Sequence, residues 1–303
     1  MIDLCTLGTG GALPLPERGL ASLYIRLNGH GLLLDCGENT QTAIRRIGWG
    51  FRCIDGLLIT HYHADHCGGL PGFLLSMAKA GRAETFHIWG PSGLKRVVDG
   101  LRVIAPQLPY SIALHEFGGA GASFEIIGMT VEAFRVEHSV PCYGYRFTLR
   151  HSGAFQPDRA RALGVPLAQW KCLQHGEQVV VGDRVVMPSE VLGEERPALR
   201  FLYATDTRPT ENIVRMGQGT QLMILEGMYG DDTKRPQALK NRHMLFREAA
   251  ELARRADTEA LVLTHFSNCI DDPEACLPNA TAIFPQTCAA QDLMTWSLDF
   301  PEM

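Results

Sequence analysis

At 303 residues the chain is long enough to bury roughly three quarters of its unfolded surface, so a large core around a buried polar site is within reach. Its 46% hydrophobic and 20% charged residues are ordinary globular composition, and no apolar run approaches the roughly 20 residues of a bilayer-spanning helix, which excludes a helical membrane protein. With 28 basic against 33 acidic side chains the formal net charge is −5, so RNA binding must come from a local patch or from bound metal.

The start, MIDLCTLGTGG, lacks a basic stretch ahead of an apolar one, so no signal peptide and a cytoplasmic location are expected. Nine cysteines without a Cys-x-x-Cys pair fit reduced thiols, Cys36, Cys53 and Cys67 reading as small core residues. Ile2 to Leu7 is the first predicted strand. The Gly-rich turn that follows is no dinucleotide loop, because Pro14 and Pro16 forbid the helix such a loop must open. SLYIRL and HGLLLDCG then alternate around Asn28-Gly29, a hairpin signal, and Asp35-Cys36-Gly37 closes the second strand. Asn39 or Thr40 caps a short helix that Gly48 ends.

Gly56 to Gly72, GLLITHYHADHCGGLPG, is the stretch that carries chemistry. An apolar strand, Leu57 to Ile59, ends at Thr60, and His61, His63, Asp65 and His66 follow within six positions. In an extended backbone residues i and i+2 share a face, so His61 and His63 can grip one ion while the turn through Ala64 swings Asp65 and His66 toward a second. Imidazole and carboxylate donors suit zinc, with manganese or iron as rivals. The bland alternative is a solvated His-rich loop. Pro71 suits a helix start, and the helix runs to Gly81.

Four ligands cannot complete two sites, and further strand ends supply the rest. Thr85 to Pro91 is another strand, and Thr130 to Val140 alternates as a strand that carries His138 near its end. From about 151 to 198 prolines interrupt the pattern, leaving an irregular excursion with one short helix around Arg159 to Leu163. Leu199 to Ala204 delivers Asp206, Gln221 to Gly227 delivers Glu226, and Glu259 to Thr264 delivers His265. Between them RHMLFREAAELARRA holds helical spacing. His61, His63 and His138 on one ion, Asp65, His66 and His265 on another, and Asp206 between them would hold two metals roughly 3.5–4 Å apart, the device used for displacement at phosphorus or an acyl carbon.

HYHADH followed by isolated His, Asp and His resembles the metallo-β-lactamase superfamily. LGTGGALPLPERG, LLLDCGENTQ, LLITHYHADHCGGLPGFL, YATDT and LVLTHFS together resemble, more narrowly, the ribonuclease Z family, which trims the 3′ trailer from precursor tRNA. The resemblance covers most of the chain. It implies an α/β fold, the αβ/βα four-layer sandwich of two mixed β-sheets packed face to face with helices outside, as a single domain over 1–303 apart from the excursion. It also implies two Zn2+ (Mn2+ or Fe as rivals) on His61, His63, Asp65, His66, His138, Asp206 and His265, with Asp65 as proton acceptor. His243 stands where the family has a histidine that protonates the leaving oxygen, and Glu226 where it has that histidine's carboxylate partner.

A precursor tRNA substrate and a homodimer are implied as well. Lys234, Arg235, Lys240 and Arg242 cluster ahead of His243 and are candidates for phosphate contact, or else a solvated linker. Three departures stand out. Arg18-Gly19 replaces the family's Arg-Asn step. The stretch Phe155 to Gly176 offers only Arg159, Arg161 and Lys171 against Asp158, where the family has a basic tRNA-binding arm. LEGMYGDD replaces a His-Glu-Ala-Thr segment. A small-molecule hydrolase on the same metals, acting on a phosphodiester, sulfate ester or lactone, is the alternative activity.

Overall fold

The structure is a computed structural model that describes residues 1–151, 153–174, 176–194 and 196–300. Two compact units divide the chain: Met1–Phe147 with Arg200–Asp299, and a smaller one around Thr148–Leu199. Among the described residues the larger unit is built on two seven-stranded sheets. The first runs, in spatial order, Thr295–Leu298, Ile2–Gly8, Ser22–Leu27, His30–Leu34, Ile54–Leu58, Phe86–Pro91 and Ile112–Phe117. The second runs Thr287–Ala289, Ala260–Thr264, Leu222–Glu226, Arg196–Ala204, Cys142–His151, Met129–Val136 and Gly121–Ile126.

Both sheets are mixed, and the parallel strands matter most for the site. His30–Leu34, Ile54–Leu58, Phe86–Pro91 and Ile112–Phe117 pair in parallel, as do Arg196–Ala204, Leu222–Glu226, Ala260–Thr264 and Thr287–Ala289. The inner ones, Ile54–Leu58, Leu222–Glu226 and Ala260–Thr264, are buried on both faces, which is why they read as apolar runs. Leu57 and Ile59 face Phe73, Leu74 and Met77 of the helix Leu70–Lys79. Gly56 faces the other way, where an added Cβ would lie 2.9 Å from Ile126 of the second sheet. Trp89 stacks on Phe124 across the same interface at 5.0 Å. The second sheet's outer face buries Leu202, Met223 and Leu263 against the helices Glu211–Gly217 and Phe246–Ala256. The architecture is therefore the expected α/β sandwich. No helix among the described residues is long and apolar enough to cross a membrane.

Local signals hold with small shifts. Leu27 pairs with His30 across Asn28 (φ 51°) and Gly29 (φ 83°), two left-handed residues as a tight hairpin turn requires. Asn39 precedes the helix Thr40–Ile47 without a side-chain cap, and the Thr40 hydroxyl donates to the Gly37 carbonyl instead. The helix expected from Arg242 begins at Phe246, and a separate helix, Arg235–Asn241, carries Arg235 and Lys240.

The stretch read as irregular is more ordered than its prolines suggest. It forms helices Pro157–Ala162, Trp170–Gln174 and Pro188–Val191 and a hairpin, Val179–Val181 with Arg184–Val186. Ala160, Val165, Leu173, Val179, Val186 and Val191 give it a core of its own. Elements of three to six residues are too short to show a period. Pro157 and Pro188 sit at helix starts, where a missing N–H costs nothing, Pro166 lies in a connection, and Pro197 lies near the start of the strand Arg196–Ala204. Positions 152, 175 and 195 of that stretch lie outside the described residues, as do 301–303.

Candidate metal centre

Parallel strands of both sheets deliver their carboxyl ends to one edge, and the candidate ligands follow those ends. His61 and His63 come after Ile54–Leu58, Asp206 after Arg196–Ala204, and His265 immediately after Ala260–Thr264. Asp65 and His66 lie on a single helical turn, Ala64–Cys67, and His138 two residues beyond Met129–Val136. Asp206 and His265 both take the left-handed backbone (φ 56° each). That conformation costs a non-glycine residue on the order of 1–3 kcal/mol, and it persists because the packed strand on one side and the cluster on the other leave no alternative.

Three nitrogens converge on one side of Asp206. His61 Nε2 lies 2.9 Å and His138 Nε2 3.3 Å from His63 Nδ1, and each of the two Nε2 atoms is 3.8 Å from Asp206 Oδ1. On the other side His66 Nε2 and His265 Nε2 are 3.1 Å apart, 3.0 and 3.2 Å from Asp206 Oδ2, and 3.6 and 3.5 Å from Asp65 Oδ2. One carboxylate thus offers one oxygen to each set. The sequence grouping of His61, His63 and His138 against Asp65, His66 and His265 recurs as spatial clusters with all donor atoms within 4.8 Å.

The nitrogens of His61 and His66 turned away from the cluster are held by partners, which fixes their tautomers. Asp35, fully buried and itself left-handed (φ 57°), accepts from Thr60 N at 2.8 Å, from the Thr60 hydroxyl at 2.9 Å and from His66 Nδ1 at 2.8 Å. With its proton committed to Asp35, the Thr60 oxygen accepts from His61 Nδ1 at 3.0 Å. His61 and His66 therefore both turn an Nε2 lone pair inward, as metal ligands backed by a carboxylate do.

Two further observations fit a bound cation. Asp206 Oδ2 is buried with no hydrogen-bond partner among the described residues, an arrangement that is costly unless a ligand completes it. Burial would lower the His66 pKa, yet Asp206 and Asp35 raise it well above its ordinary value: their charge draws a positive one into the pocket, which a bound cation would supply in place of the His66 proton. Burial and the neighbouring His66 hold His61 well below its ordinary value, neutral as a ligand must be. The all-nitrogen and oxygen donor set suits zinc, manganese or iron.

Comparison with known proteins agrees with this geometry. The chain is 44% identical to the ribonuclease Z of Lachnoclostridium phytofermentans, with 99% of each chain covered, and 43% identical to that of Clostridium kluyveri over 100% of each. It belongs to the ribonuclease Z family. A family model described as "Anti-Pycsar protein Apyc1" matches residues 2–159. Among solved structures, human tRNase Z, short form, superposes with a TM-score of 0.70 at 23% identity, covering 98% of this chain and 100% of that one. The metallo-β-lactamase fold protein YhfI from Bacillus subtilis gives 0.69 at 16%, with the same coverage. These two likenesses concern the fold.

Membership of the ribonuclease Z family makes the chain a metal-dependent endoribonuclease that hydrolyses phosphodiester bonds, and the surroundings of the cluster suit that chemistry. His243 Nδ1 lies 2.9 Å from Glu226 Oε2 and 3.9 Å from Asp206 Oδ1. Glu226 is fully buried, and its other oxygen accepts the Thr207 N–H at 2.5 Å. Burial alone would lower the His243 pKa, but Glu226, with Asp206 and Asp65 behind it, raises it to about 9. For Asp65 burial acts upward, while His265 and His66 hold the carboxyl well below the usual range.

Sequence reading missed the supports of this ribonuclease Z site. Ala12 N donates to Asp65 Oδ2 at 2.8 Å, and an added Cβ on Gly11 would lie 2.6 Å from His265 Cε1, so the Gly-rich turn presses its backbone onto the cluster. Asp292 holds that turn by accepting from Thr9 N at 2.9 Å and Gly19 N at 2.6 Å. Arg18, at the step where the family has Arg-Asn, donates to the Ser267 and Asp271 carbonyls at 3.3 Å each and is engaged within the chain. Of the basic cluster, Lys234, Arg235 and Lys240 are exposed, and Arg242 donates to the His138 carbonyl at 2.7 Å. Cys67 Sγ reaches the His63 carbonyl at 3.2 Å and is not among the clustered donors.

Proposed function

We propose that this chain removes the 3′ trailer from precursor tRNA, using two zinc ions, with manganese or iron as rivals, held by His61, His63, Asp65, His66, His138, Asp206 and His265. The observation that carries the reading is Asp206, which turns one oxygen to each ligand set while His243 flanks both. When bound, such a metal pair supplies Lewis acidity at the phosphate and a nucleophile at neutral pH.

The chain's own residues do the rest. Asp65, ionised and oriented by Ala12 N–H, accepts the proton of the attacking water as its oxygen bonds to phosphorus. His243, with Nδ1 committed to Glu226, donates its Nε2 proton to the departing 3′ oxygen as the P–O3′ bond breaks. The products are a 3′-hydroxyl on the tRNA and a 5′-phosphate on the trailer. Lys234, Arg235, Lys240 and Arg242 would track the phosphate backbone. A homodimer is implied by the family resemblance, and its mass in solution tests it.

A small-molecule phosphodiesterase remains the rival reading, favoured by the net charge of −5 and by the few cations between Phe155 and Gly176. Metal-loaded protein, with Asp206→Ala as control, decides between them on a trailer-bearing precursor tRNA beside bis(p-nitrophenyl) phosphate. A single cut next to the discriminator base, absent in the variant, supports tRNA processing. Turnover of the diester with the RNA left intact rejects it.

A further inference from the structure

A cleft of about 700 Å³ opens beside the cluster, within the size range of small-ligand sites, and Ala12 and His243 belong to its lining. Its apolar wall comes from Met228, half-buried Tyr229 and Ile270. Glycines let its wall pack closely: an added Cβ on Gly11 would lie 2.8 Å from Met228 Cε, and one on Gly230 2.4 Å from Cys276 Sγ. Asn241, also in the lining, donates its amide to the Tyr229 hydroxyl at 2.8 Å, which fixes the outer end of a tyrosine that lines the cleft. Asp231, Asp271 and Asp272 line it as well, against Lys234 and the protonated His243.

Each of these observations narrows the occupant. His243 is shared between the cleft and the metal cluster, and in the reaction proposed above it protonates the leaving 3′ oxygen. The cleft therefore lies on the leaving-group side, where the nucleoside attached to that oxygen must be. The three aspartates disfavour another phosphate, whereas an aromatic face beside amide groups suits a neutral base, since every base has a π-face to stack. We propose that this cleft seats the nucleoside on the 5′ side of the scissile bond, its base stacked on Tyr229 and opposed by Ile270, with the Asn241 amide at its edge. This assignment rests on the tRNA-processing reading.

The test uses one precursor tRNA in two forms, intact and with an abasic residue at the nucleotide preceding the cut, cleaved by metal-loaded wild type, Tyr229→Phe and Tyr229→Ala. Stacking of one base on an aromatic ring contributes about 1–3 kcal/mol, which is roughly 5- to 150-fold in kcat/KM. Wild type and Tyr229→Phe should lose that factor on the abasic RNA. Tyr229→Ala should lose it on the intact RNA and nothing further on the abasic one. Equal cleavage of both RNAs by wild type overturns the assignment while leaving tRNA processing intact, and so does a Tyr229→Ala loss that is the same on both. If wild type turns over bis(p-nitrophenyl) phosphate but cuts neither RNA, the tRNA reading itself falls, and this assignment with it.

Discussion

Asp206 separates two regions built to different ends. On the ligand side the imidazoles of His61, His66 and His265 are buried, His61 and His66 have their far nitrogens fixed through Asp35, and Asp206 and His265 sit in left-handed backbone. On the His243 side a single histidine leans on a single carboxylate and lines an open cleft. A metal cage gains from rigidity, because donors already in place need no ordering when an ion arrives. A proton donor must instead meet a substrate atom that comes and goes, so it is held at one nitrogen and left accessible at the other. The two regions should therefore fail differently when altered, one by losing metal and the other by losing rate with the metal retained.

The largest expected effect is on the cage. Asp206→Ala removes an oxygen from each ligand set, and metal analysis after dialysis should find both ions lost and no turnover on RNA or on a small diester. Retention of either ion would show that the carboxylate does not serve both sets. His243→Ala comes next: kcat should fall by about 10²–10⁴-fold with the metal content of wild type, as expected for loss of a general acid. Full activity in that variant would remove His243 from the mechanism, and loss of metal would move it into the cage. Third is Asp35→Asn, which weakens the anchors of His61 and His66 without touching a ligand. Metal affinity should drop by about 10- to 100-fold, and excess metal should restore the rate. A rate that stays low at saturating metal would mean Asp35 does more than orient imidazoles.

How far this division was legible depended on whether a residue's role lies in its own chemistry or in a distant contact. His61 to His66 stood out as candidate ligands because several donors crowd a strand end, and His138, Asp206 and His265 because each follows a strand. The α/β sandwich was legible through the family resemblance of the motifs, and the inner strands through their apolar runs. Asp35 looked like the end of a hairpin strand, since its partners Thr60 and His66 lie 25 and 31 residues away. The demand for glycine at position 11 exists because His265 and Met228 arrive there from the far part of the chain. The helix Arg235–Asn241 hid behind its charges, and the small core around Val165 and Leu173 behind elements too short for a period.

The smallest expected effect sharpens the accessible side alone. A general acid works only while protonated, so turnover on RNA should fall as pH rises through the His243 pKa. Burial works against the proton and Glu226 for it, with Asp206 and Asp65 contributing to a value of about 9. Cations on Asp206 and Asp65 cancel part of that attraction, so the alkaline limb of kcat should lie below 9 and owe its position mainly to Glu226. Glu226→Gln removes the nearest charge while keeping an acceptor for Nδ1–H. The limb should then move to lower pH by about 1–3 units, with the rate below the limb and the metal content little changed. Were the limb to stay in place in Glu226→Gln, the group titrating in it would not be His243. A limb that moves together with metal loss would mean that Glu226 supports the cage, and the two sides of Asp206 would be one structure rather than two.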